Sequence, residues 1–130
     1  MTMENKIVAL TGAGHGIGRA AALHLAARGA RLVLGARSEA EIAAVAGEIE
    51  AAGGEAVYQA IDVTRRADLD RLVNLACARF GRLDVIVNNA DIGPLSRFDA
   101  LNVDDWNAMI DVNLKGALYG IAAALPVFKR

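Results

Sequence analysis

The sequence has 130 residues, of which 55% are hydrophobic and 22% are charged, and its formal net charge is −1. A chain of this length typically forms one domain, and its apolar content is sufficient for a packed core, which excludes an intrinsically disordered protein. Acidic and basic residues are interspersed, so no basic face indicates binding to nucleic acid or to a membrane, and a small-molecule partner is expected.

Cysteine and histidine are too few to build a metal cluster. Cys77 is the only cysteine, which also excludes an intrachain disulfide. His15 and His24 have no suitably spaced acidic ligands, so no metal site is predicted. The apolar run Ile7 to Leu10 is far shorter than a signal-peptide core or a membrane span. We therefore expect a cytoplasmic protein.

Short aliphatic runs alternate along the chain with longer alanine-rich stretches of helical spacing. This alternation is typical of βαβ units around a parallel sheet. The apolar runs barely alternate with polar residues, as expected for strands covered by helices on both faces. The predicted strands are Lys6 to Leu10, Arg31 to Ala36, Glu55 to Ile61 and Leu83 to Asn89.

Each predicted strand is followed by a predicted helix with recognisable end signals. Glycine ends the first three helices, because it readily adopts the left-handed conformation found after a helix. Two Asx or serine capping pairs mark helix starts, Ser38 with Glu41 and Asn102 with Asp105. The predicted helices run from Gly16 to Arg28, from Ser38 to Gly53, from about Arg65 to Phe80, and from Val103 towards Phe128.

A glycine-rich turn, Thr11-Gly12-Ala13-Gly14-His15-Gly16-Ile17-Gly18, joins the first strand to the first helix. Glycines let the backbone approach a phosphate closely, and the unpaired amides at a helix start favour an anion. A GxGxxA pattern starting at Gly16 also fits, but it would place Gly12 and Gly14 inside the strand, where glycine is disfavoured. The order strand, glycines, helix therefore predicts a dinucleotide-binding turn.

The turn resembles the cofactor motif of the short-chain dehydrogenases/reductases. Three later segments are similar to further motifs of that family: Asp62-Val63 to its adenine site, Asn88-Asn89-Ala90 to its Asn-Asn-Ala-Gly motif, and Asn113 to its catalytic asparagine. The resemblance implies a Rossmann-type doubly wound parallel sheet with strand order 3-2-1-4, incomplete, in which residues 1–130 form one truncated NAD(P)-binding domain. The residues it implies for cofactor binding are Gly12, Gly14, His15, Gly16, Ile17, Gly18, Asp62, Val63, Asn89 and Ala90.

The end of the second strand predicts which dinucleotide is bound. An acidic residue there would accept a hydrogen bond from a free 2′-hydroxyl, whereas this sequence reads Ala36-Arg37-Ser38. Arg37 can pair with a 2′-phosphate and Ser38 can donate a hydrogen bond to it. NADP is therefore predicted in preference to NAD. The same absence of an acidic residue argues against a methyltransferase that uses S-adenosylmethionine.

Two departures from the family pattern limit what the resemblance implies. Asp91 stands where the Asn-Asn-Ala-Gly motif has glycine. The family's catalytic serine and Tyr-x-x-x-Lys have no counterpart here, since Tyr58 is followed four positions later by Asp62 and Tyr119 by Ala123. The resemblance thus implies an NADP-dependent oxidoreductase acting on a small alcohol or carbonyl as the parent protein, with these 130 residues inactive alone. The alternative is a non-catalytic dinucleotide-binding or regulatory half-domain.

The remaining conspicuous side chains are predicted to be structural. No acidic partner for His15 is evident in the sequence, and Trp106 and Met109 have the spacing of packing residues on one helix face.

The apolar run Val85-Ile86-Val87 would form an unprotected sheet edge in this order of strands. The last helix carries a broad apolar surface, and together these features predict a homo-oligomer through Met109, Leu114, Leu118, Ile121 and Leu125.

Overall fold

A computed structural model describes residues 2–130 of the chain. Its centre is a sheet of four parallel strands in the order β3-β2-β1-β4. This topology confirms the predicted doubly wound Rossmann-type sheet and its 3-2-1-4 order. The strands are β1 (Ile7–Thr11), β2 (Arg31–Ala36), β3 (Glu55–Ala60) and β4 (Val85–Val87).

Strand β4 is shorter than the sequence predicts, because a side chain replaces a backbone partner of the ladder at each of its two ends. Its three residues pair with β1, from Val8 opposite Val85 to Leu10 opposite Val87. Before the strand, the Asp84 carboxylate accepts a hydrogen bond from the Ile7 N–H at 2.9 Å. After it, the Asn89 N–H donates to the Thr11 hydroxyl at 3.1 Å instead of continuing the ladder.

Helices cover both faces of the sheet and produce two apolar cores. The helices α1 (Gly16–Ala27) and α2 (Glu39–Ala51) lie on one face, and α3 (Arg66–Phe80) lies on the other. Because successive strand residues point to opposite faces, β1 contributes Val8 and Leu10 to the first core and Ile7 and Ala9 to the second. All of β1 is buried, which explains the apolar run from Ile7 to Leu10, and Thr11 at its end is a buried polar residue.

The predicted start and stop signals of the first three helices are largely confirmed. The Ser38 hydroxyl accepts the Glu41 N–H at 3.3 Å and so caps α2. The reciprocal half of the capping box is not formed, because the Glu41 carboxylate contacts His15 instead. Gly81 ends α3 with a φ of 85°, a left-handed conformation that other residues adopt at a cost.

The last helical segment is not the single regular helix that the sequence predicts. It comprises α4 (Val103–Met109), a π-helical turn (Ile110–Lys115) and α5 (Gly116–Phe128), and it follows an unpredicted 3-10 turn, Phe98–Ala100. The predicted side-chain cap at Asn102 is also wrong. Its side chain makes no capping hydrogen bond, and its backbone carbonyl accepts the N–H groups of Asp105 and Trp106. Trp106 packs edge-on against Phe98, as a structural role predicts.

Residues Val103–Phe128, 26 residues in all, are also long and apolar enough to cross a membrane, with a mean hydropathy of 1.2 in an 18-residue window. Length and composition alone do not distinguish a span from a helix that covers a sheet. In this fold one side of the segment contacts α3 and β4. Its small residues Gly116, Gly120, Ala123 and Ala124 are buried there, while the opposite side is apolar and exposed.

Candidate cofactor-binding site

The carboxyl ends of parallel strands meet at one edge of the sheet, where the following turns surround a cleft of about 1070 Å³. This edge is the usual ligand site of an open α/β sheet. All the residues singled out from the sequence line the cleft except Gly14. They are Gly12, His15, Gly16, Ile17, Gly18, Arg37, Ser38, Asp62, Val63, Asn89, Ala90 and Asn113.

Two glycines allow the first turn to pack against the turn after β4. Gly12 has a φ of 65°, and a Cβ there would lie 2.9 Å from the Ala90 Cα. A Cβ on Gly18 would collide with the Gly12 carbonyl and the Asn89 amide. Only the absence of side chains at these two positions permits this approach. The glycines of the motif are therefore required for the close contact between the two turns as well as for the approach of a ligand.

The start of α1 presents backbone amides to the cleft without a side-chain cap. His15 occupies the N-cap position in an extended conformation and makes no capping hydrogen bond. The first N–H groups of a helix have no partner within the helix, and the dipole there favours negative charge. Ile17, which is 81% exposed, lies beside them on the cleft wall. This arrangement suits a phosphate group bound against an apolar neighbour.

Thr11 joins the ends of β1 and β4, a role that the sequence analysis did not assign. Its hydroxyl oxygen accepts the N–H groups of Asn89 and Ala90, both at 3.1 Å. It also lies 3.5 Å from the Val87 carbonyl, to which it can donate. Thr11 is only 2% exposed, whereas Asn89 and Ala90 are half-buried. One buried hydroxyl thus fixes two turns of the cleft relative to each other.

The turn after β2 places a cation and an acidic residue in the same part of the cleft. Arg37 and Ser38 line it together with Glu41, which the sequence analysis had treated only as a helix cap. The Glu41 carboxylate lies 3.2 Å from His15 Nδ1, so the expectation that His15 has no acidic partner is wrong. The partner was not evident because the two residues are 26 positions apart.

The same carboxylate explains why Gly14 does not line the cleft. A Cβ on Gly14 would lie 2.7 Å from a carboxylate oxygen of Glu41. The glycine therefore leaves room for the side chain of Glu41 rather than for a ligand.

Asp62, at the end of β3, is held by its own turn. Its carboxylate accepts the Thr64 hydroxyl at 2.7 Å and the Thr64 N–H at 2.9 Å. These hydrogen bonds lower the pKa of Asp62 below its ordinary value, although partial burial opposes them, and the positive charges of Arg37 and Arg65 contribute further. An ionised acceptor is therefore fixed at the edge of the cleft.

Asn113 lies in the π-helical turn and binds the loop after β4. Its side-chain oxygen accepts the Ile92 N–H at 2.9 Å, and its side-chain nitrogen donates to the Ile92 carbonyl at 2.8 Å. Both polar atoms of the amide are thus used within the protein. π-helical turns are frequent at functional sites, and this one holds Asn113 beside the cleft. Asp91, which replaces the expected glycine, is exposed and also lines the cleft.

Comparison with known proteins identifies the family. A sequence model described as short chain dehydrogenase matches residues 6–130. The chain belongs to the short-chain dehydrogenase family. The match extends from the start of the sheet to the end of the last helix, so it includes every element that lines the cleft.

Relatives of this short-chain dehydrogenase chain are named as oxidoreductases. An uncharacterised oxidoreductase of Listeria monocytogenes is 49% identical over 98% of the chain and 52% of its own length. One from Staphylococcus saprophyticus is 40% identical over 98% of the chain and 51% of its own length. The chain spans about half the length of the curated relatives it matches.

Solved structures of the family share the fold closely. A short-chain dehydrogenase/reductase from Burkholderia phymatum, in complex with NAD, has a TM-score of 0.93 at 31% identity, over 98% of this chain and 45% of its own. An alcohol dehydrogenase from Thermococcus sibiricus, complexed with 5-hydroxy-NADP, has a TM-score of 0.91 at 37% identity, over 98% of this chain and 55% of its own.

Proposed function

We propose that the cleft binds NADP and that the parent protein is an NADP-dependent short-chain dehydrogenase/reductase. The observation that carries the proposal is the Arg37 guanidinium after β2, whose charge acts on the Asp62 carboxyl without forming an ion pair with it. Among residues 2–130, Arg37 lines the cleft without a carboxylate within ion-pair distance. A guanidinium that no ion pair neutralises suits a 2′-phosphate, and the Ser38 hydroxyl beside it can donate a second hydrogen bond.

In this proposal the other residues of the cleft bind different parts of the dinucleotide. The amides at the start of α1 bind the pyrophosphate, and Asp62 accepts a hydrogen bond from the adenine amino group. Val63, Asn89 and Ala90 form the wall between the two halves of the cofactor. Family structures from Burkholderia phymatum and Thermococcus sibiricus hold NAD and 5-hydroxy-NADP respectively, so the fold is compatible with either dinucleotide.

The proposed reaction is reversible hydride transfer between the cofactor and a small alcohol or carbonyl compound. NADP supplies or accepts the hydride, and the protein binds and orients both reactants. Because both amide atoms of Asn113 bind Ile92, Asn113 contributes by positioning the loop that borders the reacting end of the cleft. We propose a cytoplasmic homo-oligomer for the parent protein.

Cofactor titration tests the proposal. Arg37→Ala should weaken NADP binding by at least tenfold and leave NAD binding within about twofold, since a charge-assisted hydrogen bond contributes about 1.5–3 kcal/mol. Arg79→Ala, which removes an exposed arginine near the end of α3, outside the cleft, is the matched control. Isothermal titration with both dinucleotides gives the affinities. Equal or tighter binding of NAD by the unmodified protein would contradict the proposal.

The second candidate is a dinucleotide-binding half-domain without catalysis of its own. This candidate concerns residues 1–130 alone, in which neither tyrosine has a lysine four positions later. General acid–base catalysis contributes about 10²- to 10⁴-fold, so these residues alone should show no measurable turnover of alcohols, ketones or sugars with either cofactor. Hydride transfer by the purified 130-residue chain that Asn113→Ala abolishes would exclude this candidate.

A further inference from the structure

The Glu41 carboxylate lies between the first and second turns of the cleft. One of its oxygens lies 3.2 Å from His15 Nδ1, and both residues line the cleft. Its backbone N–H donates a hydrogen bond to the Ser38 hydroxyl oxygen at 3.3 Å, and this hydroxyl is the group proposed to hydrogen-bond the 2′-phosphate. Because an ionised carboxylate can only accept hydrogen bonds, the proton shared with His15 belongs to the imidazole. Glu41 is thereby held in place by contacts on both of its sides.

We propose that Glu41 is a specificity-determining residue that weakens the binding of a 2′-phosphate and so limits the preference for NADP over NAD. The inference rests on the proposed function, because it assumes that Arg37 and Ser38 receive that phosphate. Glu41 lines the same cleft as both residues, and it is three positions after Ser38 in the first turn of α2. A negative side chain at this place repels a dianionic group, whereas a neutral 2′-hydroxyl experiences no such repulsion.

Two features place the carboxylate against the glycine turn. Gly14 leaves the space that the side chain occupies, so the carboxylate lies against the glycine turn. His15 holds it from the other side. The Glu41 side chain is 50% exposed, so water screens its charge and the effect is moderate.

The test uses a neutral side chain of the same shape. Glu41→Gln should tighten NADP binding by about 3- to 10-fold and change NAD binding by less than twofold, as expected for like charges that interact through a partly solvated site. The NADP gain should shrink as salt is raised, since a structural effect would not depend on ionic strength. Glu41→Asp keeps the charge and should retain the unmodified ratio of the two affinities.

Glu48→Gln is the matched control. It removes one negative charge from the same helix, but Glu48 pairs with Arg19 at 2.6 Å and does not line the cleft. It should leave both affinities unchanged. If Glu41→Gln fails to tighten NADP binding, or tightens NAD equally, the inference is wrong. If Arg37→Ala fails to weaken NADP binding, the proposed function is wrong and the inference with it. If Arg37→Ala weakens NADP binding but Glu41→Gln does not tighten it, the inference is wrong and the proposed function stands.

Discussion

The Thr11 hydroxyl shows how much of the site depends on single side-chain atoms. Replacing Thr11 with valine keeps the shape of the side chain but removes the acceptor of the Ala90 N–H and one of the two acceptors of the Asn89 N–H, which also bonds the Val87 carbonyl. We expect the free energy of unfolding to fall by about 1 kcal/mol, the contribution of a typical hydrogen bond at a half-buried position. Urea denaturation measures the change. Thr11→Ser retains the hydroxyl and should restore at least half of the loss, and a valine variant as stable as the native protein would contradict this role.

The Asp84 carboxyl predicts a pH dependence of stability. Partial burial would raise its pKa, but the hydrogen bonds from the Ile7 N–H and Arg82 outweigh that effect and hold the pKa below its ordinary value. A carboxyl whose pKa is lower in the folded state stabilises the protein above its unfolded pKa, about 3.9, and this contribution is lost as the pH falls through the folded value.

Asp84→Asn should therefore lose less stability than the native protein when the pH is lowered from about 5 to about 3. Thermal unfolding across this range gives the comparison. Asp70→Asn, at an exposed position of α3, is a control that should follow the native curve. Parallel curves for the native and Asp84→Asn proteins would show that the carboxyl does not contribute in this way.

At the scale of single residues, the glycine and asparagine motifs predict residues that line the cleft, because these residues form the turns at the ends of the strands. The contacts of Thr11, Glu41 and Ile92 were not predicted. Each joins two turns that are far apart in the sequence, and side-chain periodicity contains no information about such pairs. The same limitation explains why Gly14 was assigned to the cleft when its space is filled by Glu41.

At the scale of elements, Gly120 sets how closely α5 approaches the end of β4. A Cβ on Gly120 would collide with the side-chain oxygen of Asn88. Gly120→Ala should therefore force the Asn88 side chain to turn away or α5 to shift, which should cancel the gain of about 0.5–1 kcal/mol expected from alanine as the better helix former. Gly47→Ala is the control, because Gly47 lies in α2 with open space around its Cβ position. It should stabilise by about 0.5–1 kcal/mol.

Chemical denaturation of both variants tests the contrast between crowded and open helical glycines. If Gly120→Ala stabilises the protein as much as Gly47→Ala does, the contact with Asn88 does not limit how closely α5 packs on β4.

The helices and strands differ in how well the sequence predicts them. Strand β2 and the first three helices lie within one residue of their predicted bounds or caps, because their apolar periodicity and glycine stops are local signals. The irregular last helix is different. Its π-helical turn accompanies the contact of Asn113 with Ile92, and Gly116 directly after the turn lies against Val63, so both partners come from other parts of the chain. Local helix propensity therefore predicts that a helix forms there, but not its irregular turn.

At the scale of the whole molecule, the last helical segment presents an apolar surface that a monomer would leave in water. The exposed side chains are Ile110, Leu114, Leu118, Ile121, Leu125 and Phe128, and within the described residues β4 is an edge of the sheet. Soluble monomers seldom expose a contiguous surface of this kind. We expect the 130-residue chain to self-associate, with sedimentation coefficients that rise with protein concentration.

The double substitution Leu118→Lys and Ile121→Lys should reduce this association, since it places two charges at the centre of the surface. Leu95→Lys is the control, because Leu95 is 99% exposed but lies in the loop after β4, away from the helix. Sedimentation velocity over a wide concentration range distinguishes the variants. A native chain that remains monomeric at high concentration would contradict the prediction.

The position of β1 between β2 and β4 has a consequence for synthesis on the ribosome. Strand β4 follows β1 only after three helices and two other strands have been made. Until then a nascent chain that has paired β1 with β2 leaves open the other edge of a strand with four consecutive apolar residues. Such non-local parallel pairing is slow, and open apolar edges favour aggregation. The delay before β4 emerges is therefore the interval in which the nascent chain most needs a chaperone.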